Sequence, residues 1–329
     1  MQDYAAPWFR ARRFHGIDDT IYFGMVSPLD GRRHVFAVPH EQCDGVGAFM
    51  QLLRRIKVRD WRGVTGKGMP IPGFFQCWRA QSPKEKPAAP VWRTRLLAAV
   101  DAEDQFIAIE HFSVEQTALL RQQARNDSVS LNAMLMAALH NTVSEQLLVE
   151  GGGSWFLPVT LRGSLTLPSD EMNHASGVYV SLPASVEGAA IQQQLSRAIA
   201  CNEHWWMWHQ ARLVATIGGQ WLVNRLLPVM QQRKYLGSFS SMGEWSIDWR
   251  GSDYPEDTLM WAVAPGSPAY PVSACWLICN GRLVVVLKLN AVLGLGSERC
   301  RSMIKLWVKA IHSSLSHEAG ASSGEKCNV

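Results

Sequence analysis

The chain has 329 residues, of which 47% are hydrophobic and 18% charged; this excludes a disordered or low-complexity protein and supplies apolar side chains for a large layered core. Its formal net charge of +4 is carried by the first hundred residues, with basic clusters at Arg10, Arg12 and Arg13, at Arg32 and Arg33, and at Arg54, Arg55, Lys57 and Arg59. Seven cysteines without a CxxC pair, and without His or Cys at zinc-ligand spacing, argue against a metal site and fit reduced thiols.

The opening "MQDYAAPWFRARRF" has no apolar signal-type region, and no run of about 18 uncharged apolar residues occurs in the chain. The expectation is a cytoplasmic protein with no membrane span. Residues 20–39 read as a β-hairpin: "TIYFGMVS" and "RHVFAVP" are β-branched and aromatic, and "PLDGR" between them carries an Asp-Gly turn. "GVGAFMQLLRRI" then places Val46, Phe49, Met50, Leu53 and Ile56 at helical spacing. A Gly/Pro-rich stretch follows, and "SPKEKPAAP" at 82–90 reads as a linker. From Ser113 the pattern turns helical, with Gln116 at capping-box spacing, and a second helix starts after Ser130. Strands are expected in "SWFLPVTL" and "GVYVSLP", a helix over 188–212 and an apolar segment over 213–230. "YLGSFSSMGEW" reads as a strand entering a turn, "SACWLICNGRLVVVLKLN" as a hairpin with Asn-Gly at its tip, and 296–315 as a closing helix. Strands alternating with helices, with hairpins among them, predict an α/β fold with a mixed sheet. The division expected is an N-terminal subdomain over 1–95 and a C-terminal one over 96–329.

His40 follows the hairpin directly, and with Asp44 it forms an H-x-x-x-D-G pattern between a strand and a helix. A histidine there presents a ring nitrogen to a crevice, and its near-neutral pKa suits a general base. Asp44 either orients the imidazole or turns away to lock the loop, while Gly45 and Gly47 permit a tight turn. The basic clusters suit nucleic acid, an acidic carrier protein or the phosphates of a cofactor, or are simply solvated. No RNP, zinc-finger or helix-turn-helix signal accompanies them, so nucleic acid is not expected as a partner. His34 is expected to face solvent or the sheet, and His174 sits beside Asn173. On a helix, Trp205, Trp206 and Trp208 cannot share one face, so they divide between core and surface or line a groove. Gly151 to Gly153 read as a connector.

The stretch "FAVPHEQCDGVGAF" resembles the active-site motif of the chloramphenicol acetyltransferase-like acyltransferases. That superfamily includes condensation domains, wax-ester synthases, alcohol acetyltransferases and the plant BAHD enzymes. Further segments are similar in order: "LLRQQARNDSVSLNAMLMAALHNTV" to the family's helix pair, "FLPVTLRGSL" to its arginine-ending strand, "MNHASGVYVSLP" to its "N…G…LP" segment, and "GSFSSMG" to its strand near the acyl site. The resemblance implies two α/β subdomains, mixed sheets flanked by helices, with an active-site tunnel between them. It implies His40 as general base, Asp44 and Gly45 holding the loop with Arg162 paired to Asp44, Ser240, Ser241 and Gly243 near the oxyanion, and Asn173 lining the tunnel. It implies no metal and no permanently bound cofactor. The co-substrate would be acyl-coenzyme A or a phosphopantetheine thioester on an acyl carrier protein, and the acceptor a small alcohol or amine. The oligomeric state is left open. Three departures stand out: Pro39 replaces the first of two histidines, the BAHD "DFGWG" is absent, and the stretch before the hairpin is short, so an abbreviated N-terminal subdomain is expected. The absent pentapeptide argues against a plant-type enzyme, while Pro39 and the short N-terminal stretch also suit a non-catalytic member that binds a partner or a lipid.

Overall fold

In the computed structural model, which describes residues 4–26, 33–64, 66, 68–81, 89–97, 105–232 and 235–321, helix α1 (Ala6–Phe14) precedes a hairpin of β1 (Thr20–Val26) and β2 (Arg33–Pro39). Thr20 stands opposite Pro39 and Tyr22 opposite Ala37, while the "PLDGR" turn lies outside the described residues. Helix α2 (Gly45–Arg55) buries Val46, Phe49, Leu52 and Leu53 on one face, as its apolar spacing requires. Next come β3 (Asp60–Arg62), α3 (Phe74–Ala80) and β4 (Val91–Trp92); most of the linker expected over 82–90 lies outside the described residues. Strand β5 (Gln105–His111) leads to α4 (Val114–Asn126) and α5 (Leu131–Leu147). Both hydrogen bonds of the Ser113–Gln116 capping box form, and the Ser130 side chain accepts from the Ala133 amide.

After β6 (Leu148–Glu150), β7 (Gly153–Thr160) and β8 (Ala175–Leu182), the helix expected over 188–212 is two helices. Asn202, with φ of 55°, separates α6 (Gly188–Ala200) from α7 (Glu203–Gln231). Asparagine is one of the few residues that tolerate this left-handed backbone, which a pattern of apolar spacing does not reveal. Residues 213–230 continue α7 across a kink at Gly219, whose φ is also 55°.

Strand β9 (Gly237–Asp248) departs from the turn expected in "SSMGEW". It runs on through a bulge, where Trp276 stands opposite Ser241 and Ile278 opposite Glu244, and Gly243 takes the positive φ of 70°. Strands β10 (Leu259–Val263), β11 (Val272–Cys279) and β12 (Arg282–Asn290) and the closing helix α8 (Ser297–Ala321) complete the chain.

The strands form a mixed sheet in the order β5-β12-β11-β9-β7-β8, with β3 on the far half of β9, and a smaller sheet in the order β10-β1-β2. Strand β9 is parallel to both β7 and β11, and the other pairings are antiparallel. One face of the large sheet (Ala274, Trp276, Val285, Leu287) packs with Leu135 and Met136 of α5 and Trp307 of α8. The other face (Cys275, Leu277, Val284, Val286) packs with Phe23 of β1, Phe49 of α2 and Trp261 of β10. The motif-bearing hairpin and helix are thereby pressed onto the large sheet. Pairing crosses residue 95 in both directions, β3 with β9 and β10 with β1.

Lys288 points into this second interface. Its ammonium is fully buried, 3.0 Å from Asp18 Oδ2 and 4.6 Å from the centroid of the Tyr22 ring. Burial lowers its pKa to about 8, against the pull of Asp18. Because the folded value lies below the unfolded one, the unfolded chain binds the extra proton between pH 8 and 10.5, and the wild type gains stability across that window. Relative to wild type, Lys288→Met should therefore lose about 3 kcal/mol of advantage from pH 7.5 to 10.5. Urea unfolding of both proteins at each pH measures it, and a pH-independent difference would sink the assignment.

Candidate active site around His40

The loop after β2 is built from backbone bonds inward. The His40 amide donates to the Asp19 carbonyl at 2.7 Å, which ties the strand end to the chain before β1. Asp44 caps α2 and is buried, and its carboxylate collects four donors. Oδ1 accepts from the Gly47 amide at 2.8 Å and Arg162 Nη2 at 2.7 Å; Oδ2 accepts from Arg162 Nη1 at 2.5 Å and the His174 amide at 2.9 Å. Arg162 Nη2 also donates to the Asp170 carbonyl at 2.8 Å. All four donors tie the carboxylate to α2, to Arg162 and to the His174 backbone, and none of them is the His40 ring. Glycine is needed at 47, where a Cβ would stand 2.0 Å from the Glu171 carbonyl oxygen. At Gly45 a Cβ would stand 2.9 Å from the sulfur of Met242 on β9.

The imidazole itself is held by Asn173, which is buried. Asn173 Nδ2 donates to the carbonyls of His40 at 3.1 Å and Glu41 at 3.4 Å, so its Oδ1 is the atom that faces His40 Nδ1, at 3.2 Å. The amide orientation is assigned from this network. An oxygen acceptor there requires the proton on Nδ1 and leaves the lone pair on Nε2, the tautomer of a base. Burial lowers the pKa of the ring from its ordinary value, aided by Arg12 and opposed by its own backbone carbonyl, Asp44 and Asn173. Phe9 of α1 stacks on the ring, centroids 3.9 Å apart and planes 11° from parallel.

Neither Phe9 nor α1 was legible as part of a site. The only local signal was Pro7 in the first turn, ahead of Trp8 and Ala11 among arginines. Asn173 was visible as a candidate but not as the partner of His40.

The remaining candidates fall in different places. The parallel register puts Ser240 beside Cys275 on the face packed against the small sheet, and Ser241 beside Trp276 on the opposite face. The Gly243 amide is taken by the Ser241 hydroxyl at 3.3 Å, whereas the Ser240 hydroxyl has no hydrogen bond among the described residues. Much of the basic N-terminal half is paired internally: Arg13 with Asp19 and Glu41, Arg10 with Glu41, Arg54 with Glu171, and Arg12 on the carbonyls of Asp18 and Gly266. His34 is exposed against Tyr254, and His174 is buried with its ring on the Ser169 carbonyl. Trp205 and Trp208 are core residues, while Trp206 is half-buried against Phe74 of α3.

No protein-family model matches this chain, and no curated protein matches it. Solved structures do. The cyclization-docking bidomain of EpoB from Sorangium cellulosum superposes with a TM-score of 0.55 at 10% identity, over 86% of this chain and 60% of that one. Polyketide synthase associated protein 5 from Mycobacterium tuberculosis gives 0.53 at 13%, over 88% and 75%. The wax ester synthase/diacylglycerol acyltransferase from Marinobacter aquaeolei VT8 gives 0.51 at 16%, over 94% and 75%. The chain has the chloramphenicol acetyltransferase-like, condensation-domain fold. On this condensation-domain fold the His40 loop lies where the hairpin and α2 meet the large sheet. Among the described residues no helix is long and apolar enough to cross a membrane, and no cluster of His, Cys, Asp and Glu could hold a metal ion.

Proposed function

We propose that this chain transfers an acyl group from a thioester to the hydroxyl or amine of a small acceptor, with His40 as general base. The observation that supports it most is the approach of Asn173 Oδ1 to His40 Nδ1, which assigns the proton to Nδ1 and the lone pair to Nε2, on a ring whose pKa burial lowers. In the step proposed, Nε2 takes the acceptor's proton as its oxygen or nitrogen attacks the thioester carbonyl carbon. The tetrahedral intermediate then collapses with cleavage of the C–S bond, and the proton on Nε2 passes to the departing thiolate. Ser240 donates to the developing oxyanion, because its hydroxyl is unengaged and lies on the face toward the small sheet. The donor is acyl-coenzyme A or a phosphopantetheine thioester on a carrier protein, two molecules that share the pantetheine arm. The free thiols of the described cysteines suit a reducing compartment such as the cytoplasm.

One observation favours a second reading, a non-catalytic protein that binds a partner or a lipid: the Phe9 ring covers one face of His40. Thiol release decides between them. Wild type and His40→Ala are mixed with acyl-coenzyme A of several chain lengths, and with carrier-bound donors, in the presence of alcohols and amines. Release by the wild type that His40→Ala lacks supports acyl transfer. Equal release by the two proteins across the whole panel ends that reading.

A further inference from the structure

Helix α7 is packed on one side and bare on the other. Its inner side meets α1 through Val223 and Leu227 against Ala11, with Trp8 and Ile17 beside them. Its outer side carries Leu213 and Ile217 before the Gly219 kink and Trp221 and Val229 after it, 46%, 74%, 68% and 59% exposed. Phe14, at the end of α1 and 72% exposed, flanks the stripe where His15 Nε2 meets the Asn224 carbonyl at 2.8 Å. Exposed apolar side chains grouped in this way along a water-facing helix mark a docking surface.

The charges around it select the occupant. The sequence has no Asp or Glu between His204 and Gly243, and α1 and α3, which pack on α7, contain none either. Arg212 and Arg225 are exposed on α7 and have no carboxylate partner among the described residues; the Arg225 guanidinium lies 5.5 Å from the centroid of the Trp221 ring. A second copy related by a two-fold axis would bring these arginines against themselves with no acid to neutralise them. Tryptophan and arginine on an apolar helix face, without acids, match the boundary between anionic headgroups and acyl chains. We propose that the outer face of α7 with Phe14 docks on an anionic lipid surface. The surface is independent of whether His40 transfers an acyl group.

Flotation with vesicles of phosphatidylcholine containing phosphatidylglycerol, and with phosphatidylcholine alone, tests it on the full chain. The wild type should float with the anionic vesicles, less so at high salt, because the arginines contribute through a screened attraction. Ile217→Glu with Trp221→Glu should weaken partitioning about tenfold or more, since two carboxylates would enter the apolar boundary. Thr216→Glu, at the exposed position next to Ile217, adds a charge without removing an apolar side chain and should weaken it too if the double variant proves unstable. The proposal is overturned if the wild type stays at the bottom of the gradient with anionic vesicles. It is equally overturned if wild type and the folded variants float alike, or if the variants only split a dimer of a protein that binds no vesicle.

Discussion

Arg162→Met should destabilise the protein by about 3–5 kcal/mol, read as a lower urea midpoint at unchanged slope. The size follows from what the change leaves behind. Asp44 and Arg162 are both buried, and two of the four donors on the Asp44 carboxylate belong to Arg162. Removing them leaves a buried charge with the Gly47 and His174 amides alone, in a place where water does not replace what is lost. The Asp170 carbonyl loses its donor as well. Asp44→Asn in the same chain removes the charge while keeping an acceptor for the Gly47 amide at the start of α2. The double variant should therefore regain part of the loss, and that non-additivity identifies a pair. A midpoint unchanged in Arg162→Met would rule out the lock. A double variant whose loss is the simple sum would show two independent structural roles.

What the sequence makes legible here is local, and what it hides is long-range. The hairpin, α2 and the two capped helices rest on alternation, helical spacing and side chains that bond within three residues. Helix α1 has no such signal. Ala5 offers no capping side chain, and the helix is fixed by Trp8 donating to the Ala211 carbonyl and Gln220 to that of Pro7, contacts 203 and 213 residues apart. Strand β10, "LMWAV", is buried at every position and so shows no alternation from which its pairing with β1 could be read. The bulge of β9 was hidden by Gly243, which supports a turn or a bulge equally well until β11 is seen beside it. At the site, Asp44 and Arg162 are separated by 118 residues, so only the resemblance to a known motif could put them together in advance. No motif pointed to Asn173 as the partner of His40, because an asparagine 133 residues away carries no mark of what its amide will face.

That asparagine sets the largest effect on activity expected from any residue other than His40 itself. Acyl transfer with His40 as base needs the neutral ring, and burial places the pKa below the ordinary histidine value of 6.5. The rate should thus rise with pH along a limb below 6.5 and stay level above it, since deprotonation creates the active form. Asn173→Leu removes the acceptor on Nδ1 and the two donors that hold the carbonyls of His40 and Glu41. The proton is then free to sit on Nε2, and kcat should fall about 10- to 100-fold while KM changes little, because the loss is in the base and not in substrate contacts. Asn173→Asp places a carboxylate against Nδ1–H, favours the imidazolium and should move the limb to higher pH. Nitrogen chemical shifts of His40 report the tautomer and the pKa even in a protein that transfers nothing. Shifts that keep Nδ1 protonated in Asn173→Leu, together with a limb unmoved in Asn173→Asp, would reduce Asn173 to a loop residue. Altered shifts with no thiol release by the wild type would instead leave the hydrogen bond standing and remove acyl transfer. The two failures are separable because Asn173 acts on the ring with or without substrates, whereas thiol release needs both the acceptor and the thioester.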